Sequence, residues 1–136
     1  AFWTEPRTRL DAVSSLDQQI AVGVVLARQE SETPGALVLK LRQEEPEAFA
    51  ACVGLGMRGL IPEIAAFWTP YLQAAVDRGE IHPDTDCAEA AEWIARITMS
   101  LATVPGERCD IDDHESLLRH ARRYIVAGLR CDPGVS

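Results

Sequence analysis

The sharpest chemical signal in the chain is a run of glycines. Gly54-Leu55-Gly56-Met57-Arg58-Gly59 matches G-x-G-x-x-G, the fingerprint of a dinucleotide-binding turn. There the glycines let the backbone approach a pyrophosphate, which rests on the N-terminus of the next helix. Phe49-Ala50-Ala51-Cys52-Val53 could pass for the preceding strand, Leu60 onward is helical in period, and Asp77 or Glu80 stands near the distance for a ribose contact. That chemistry needs a parallel sheet, however, and no second or third strand-like segment is found. Pro46 also reads better as the start of a helix. The motif therefore reads as a break between two helices.

The remaining reactive side chains do not assemble. His82 lies among Glu80, Asp84 and Asp86, a set that could hold a cation but reads first as a polar loop capping the next helix. His114 and His120 are six apart, do not share a helix face and make no zinc pair. Cys52, Cys87, Cys109 and Cys131 form no C-x-x-C and suggest no disulfide framework, which fits reduced thiols in a cytoplasmic protein. No G-x-S-x-G, H-E-x-x-H or Walker sequence appears. Carboxylates sit at helix starts or in i,i+4 pairs such as Glu92–Arg96. No catalytic residue, metal or cofactor is expected, and the chain is read as a non-enzyme.

Aromatic residues offer a different chemistry. Phe67, Trp68 and Tyr71 crowd one helix at Pro70. A helix kinked by proline cannot pack flush against a straight neighbour, and pockets between helices arise in this way. Aromatic and methionine walls suit apolar ligands. The candidate ligand-lining set is Phe49, Met57, Ile64, Phe67, Trp68, Tyr71, Trp93 and Ile97. Pocket and plain core remain equal readings for Trp68, Tyr71 and Trp93.

The elements that must carry these residues are helices almost throughout. The first runs from about Thr4 to Arg28, with Pro6 in its first turn and a stripe of Leu10, Val13, Leu16, Ile20 and Val24. Thr33-Pro34 and Pro46 open two short helices within 33–54. Leu60, Ile64, Phe67, Trp68, Tyr71, Leu72, Ala75 and Val76 form an apolar face that Gly79 ends. Asp86-x-x-Glu89 and Asp112-x-x-Glu115 are capping boxes for helices over 86–104 and 112–130. With 136 residues, 47 % of them hydrophobic, the expected fold is all-α: one domain, an antiparallel bundle of about six helices. No apolar run is long enough to span a bilayer, and Ala1-Phe2-Trp3 followed by Glu5, Pro6 and Arg7 is no signal-peptide pattern. The net charge of −8 opposes nucleic-acid binding by this segment.

The stretch from Leu72 to Asp86, LQAAVDRGEIHPDTD, resembles the A-A-V-x-R-G-E-[LI]-x-P-D-x-D turn of TetR-family transcriptional regulators. Ala90-Ala91-Glu92-Trp93-Ile94-Ala95-Arg96-Ile97 is similar to that family's next helix, and Arg122-Arg123-Tyr124-Ile125-Val126-Ala127-Gly128-Leu129 to its last. The resemblance covers Leu60 to Leu129 and implies a C-terminal domain that binds a small-molecule effector and forms a homodimer through its last two long helices. It places Ile94, Leu101, Leu117, Ala121, Tyr124, Ile125 and Gly128 at the dimer interface. The family's N-terminal helix-turn-helix has no counterpart in these residues, so DNA contact is expected only through a unit outside them. The expectation is the sensing and dimerising part of a repressor; a dimerisation module without a ligand and a small nucleotide-binding enzyme are its rivals.

Overall fold

A computed structural model describes residues 4–29, 40–51, 57–104 and 106–130. Every regular element among them is a helix, so the chain is all-α. The order is α1 (Thr4–Asp11), α2 (Leu16–Gln29), a helical stretch over 40–44, α3 (Pro46–Ala51), α4 (Met57–Asp77), α5 (Cys87–Thr103) and α6 (His114–His120). The last helix continues as a π turn (Ala121–Ile125) and a 3₁₀ turn (Val126–Leu129). The expected helices over 33–39, and Gly54 and Gly56 of the glycine motif, lie outside the described residues.

The expected first helix is two helices. Its stripe continues through Leu10, Leu16, Ile20 and Val24, all buried, but the backbone breaks at Val13-Ser14-Ser15. Serine competes for backbone hydrogen bonds and favours helix starts over interiors. The first N–H of α2, from Leu16, is accepted by Glu80 Oε1 at 2.7 Å. A carboxylate 64 positions away thus caps α2, and periodicity alone does not reveal it.

The central packing unit is α4 against α5, joined by the turn over 78–86. Gly79 has a φ of 72°, the left-handed region that glycine tolerates best. Its N–H bonds to the Val76 carbonyl and that of Glu80 to the Ala75 carbonyl, a Schellman ending. The chain then buries Ile81 completely. Asp86 caps α5 by accepting the N–H groups of Ala88 and Glu89, the cap-residue half of the expected box. At α6 the cap is Asp113, which accepts from Glu115 N–H, one residue later than the expected Asp112.

α2 lies across this pair. One side of it, with Leu16 and Ile20, joins the main core of Phe67, Trp68, Leu72, Ile94 and Ile125. Ala21 and Val24 join a second cluster with Cys109, Ile111 and Leu117. The last helix is fastened to α2 by an ion pair from Arg122 Nε to Asp17 Oδ2 at 2.9 Å. Its end is tied to the turn over 78–86 by a 2.7 Å bond from His82 N–H to the Leu129 carbonyl. No helix among the described residues is long and apolar enough to cross a membrane.

Candidate functional site

The glycine motif loses its structural context. Phe49, Ala50 and Ala51 are in helix α3, and Met57 to Gly59 already belong to α4. Among the described residues no strand precedes the motif, and the pyrophosphate-binding turn needs one to carry it. Among the described residues no His, Cys, Asp and Glu gather as a metal site.

The aromatic residues expected to share one pocket divide between two places. Phe67, Trp68 and Tyr71 lie inside, 5 %, 2 % and 6 % exposed. Their rings are 5.5–5.9 Å apart in edge and tilted contacts, the geometry aromatic quadrupoles favour. The Arg7 guanidinium stands 4.7 Å from the Phe67 ring centre and 5.7 Å from that of Tyr71. Burial, aided by the charge of Asp11, pushes the Tyr71 phenol above its ordinary value. The Trp68 ring lies against Gly23 so closely that an added methyl would stand 2.6 Å from it. Ile64 is buried in the same core, Phe49 and Ile97 are partly buried against it, and the Met57 side chain lies outside the described residues. Both Pro62 and Pro70 are within α4. Pro70 has no N–H to offer Ala66, and the Thr69 hydroxyl bonds the Ala65 carbonyl at 2.9 Å.

Trp93 is elsewhere. It is 45 % exposed on the outer face of α5. With Tyr124, Gly128 and Leu129 of the last helix it walls a groove of about 610 Å³, whose other wall is acidic through Asp84, Asp86 and Glu89. The reason is helical phase. Ala91, Ile94, Ala95 and Thr98 turn into the core and leave Trp93 on the opposite side of the helix.

The residues that the family resemblance assigns to a shared interface also divide. Ile94, Leu117, Ala121 and Ile125 are buried within the chain's own core, and Leu101 is partly buried against it. Tyr124 is 64 % exposed, Gly128 is exposed, and nothing lies within 4 Å of where a Gly128 Cβ would be. Val104, 64 % exposed, caps the end of α5 eleven residues on from Trp93, about three helical turns, and so lies at the far end of the same side. The outer strip available to another molecule is therefore Trp93, Val104, Tyr124 and Gly128, with Ile97 and Leu101 at its edge.

Sequence reasoning missed Glu80, Asp17, Arg122, Arg7 and Gly23, each of which acts across large sequence separations. The thiols of Cys87 and Cys109 are both pushed up by burial, which suits unreactive side chains. In comparisons with known proteins, no family model, no curated protein and no solved structure matches the chain.

Proposed function

We propose that this chain is a dimerising, effector-sensing domain of a TetR-like transcriptional repressor. The observation that carries the reading is the uncovered strip on α5 and the last helix, with Trp93 45 % and Tyr124 64 % exposed beside an open glycine. Large aromatics at the centre of a surface patch are the usual anchors of protein interfaces. Small Gly128 permits close backbone approach. A twofold axis through such a strip would let each copy present the same patch to the other.

The sensing half rests on α4. Two prolines remove two backbone bonds from one helix, next to the aromatic cluster. An apolar or aromatic compound that binds one arrangement of this helix better than another would shift the population. A helix-turn-helix unit reading the operator would then respond to that shift. The tight seat of Trp68 on Gly23 favours a second, narrower reading, a pairing module whose aromatic cluster is only core.

Light scattering on the eluting protein tests the pairing. The expected result is twice the chain's mass, falling to one chain in Gly128→Arg and in Tyr124→Glu with helical circular dichroism unchanged. A single-chain mass at every concentration sinks the proposal. Compounds that quench tryptophan emission, with the response lost in Trp68→Phe, favour sensing over the narrower reading.

A further inference from the structure

A second concavity opens on the opposite side of Tyr124, between the loop after α5 and the face of α6. It is an open concavity of about 570 Å³, and three of its seven lining residues are arginines: Arg108, Arg119 and Arg123. His120 and Tyr124 stand among them, and the lining holds no carboxylate. That composition runs against the chain, whose 21 acidic residues outnumber 13 basic ones.

The three guanidinium groups also form no ion pair among the described residues. Arg78, Arg96 and Arg122 each pair with a carboxylate within 3 Å, whereas among the described residues Arg108, Arg119 and Arg123 pair with none. Of the nearby acids, Asp110 accepts the N–H of Asp112 and Asp113 that of Glu115, while Glu107 and Glu115 stand outside the lining. Arg119 and Arg123 are one helical turn apart, where like charges repel. Arg123 is braced by the Tyr124 ring at 5.7 Å, and the His120 ring sits 5.3 Å from the same tyrosine.

We propose that this pocket binds a small molecule bearing a multiply charged phosphate group, a phosphate ester or a diphosphate. Guanidinium forks match phosphate oxygens in pairs and hold them with charge-assisted hydrogen bonds. Three such cations call for more than the single charge of a monocarboxylate. The volume lies in the range of small-molecule sites, about 300–1,000 Å³, and exceeds what inorganic phosphate needs. The remainder of the ligand would lie along Tyr124 and His120. The three arginines lie outside the pairing strip, which the pocket meets at Tyr124, so the cationic wall itself does not depend on pairing.

Titration calorimetry of the full chain with pyrophosphate tests it. Saturable binding is expected, weakened about tenfold or more in Arg119→Gln and in Arg123→Gln. Arg96→Gln, an exposed arginine outside the pocket, should leave it unchanged, and acetate at the same ionic strength should not bind. In the unmodified protein, pyrophosphate should shift the side-chain NMR signals of Arg108, Arg119, Arg123 and His120 above all others. Absence of binding, equal loss in Arg96→Gln, or shifts spread over unrelated arginines would overturn the site. So would capture of an acidic polypeptide with no affinity for pyrophosphate.

Discussion

At the scale of single residues, two glycines show how far local rules reach. Gly23 and Gly59 both lie inside helices, where alanine is intrinsically better by up to about 1 kcal/mol. Gly59 is open, with nothing within 4 Å of an added Cβ. Gly59→Ala should therefore stabilise by about 0.5 kcal/mol. At Gly23 the same atom meets the ring of Trp68, which is 2 % exposed and cannot swing away. Overpacking a core costs about 1–3 kcal/mol, more than the propensity gain. Gly23→Ala should lower stability by about 1 kcal/mol in urea unfolding. Equal effects at the two sites would mean that Trp68 is not packed as described. The contact is invisible to periodicity, which registers both positions only as helix-weakening.

Elements are joined here by carboxylates as much as by apolar faces. Glu80 leaves the α4 turn and accepts the first N–H of α2, while its second oxygen takes Arg78 at 2.8 Å. The Arg78 pair is partly exposed and contributes little. The cap satisfies an N–H that has no partner within the helix. Glu80→Ala should cost about 1 kcal/mol, Glu80→Gln less because an amide oxygen still accepts, and Arg78→Ala only a few tenths. Thermal melts of the three variants check this, and a large effect of Arg78→Ala would reverse the assignment. The last helix departs from regularity by different means. Its π turn and 3₁₀ turn alter the register expected of a plain helix, so Tyr124 and Gly128 stand outside while Ala121 and Ile125 stay within. Such departures concentrate at functional sites.

For the whole molecule, one ion pair links distant parts and makes stability depend on pH. Burial alone would raise the Asp17 carboxyl, but hydrogen bonds from Ser15, Arg122 and the Gln18 N–H outweigh it and hold it below the ordinary 3.8. A carboxyl depressed in the folded state adds stability above its unfolded value and loses it as pH falls through the folded one. Asp17→Asn should thus cost about 1–2 kcal/mol at pH 7, the usual worth of a charge-assisted hydrogen bond. The gap between the two proteins should close as the pH drops below about 4. A gap independent of pH would show that the carboxylate's charge plays no part. Much of this architecture was legible in the sequence. The helical period, the stop at Gly79, the Asp86 cap and the all-α class follow from local steric and hydrogen-bonding preferences that neighbouring residues settle among themselves. The break at Ser14-Ser15, the separation of Trp93 from Phe67, Trp68 and Tyr71, and the uncovered strip do not. They depend on which of several apolar faces finds a partner, and on carboxylates such as Glu80 and Asp17 reaching across the fold. The glycine fingerprint shows the same division: its letters are local, but a phosphate cradle needs strands that only the folded chain could have supplied, and α3 stands where the first would be.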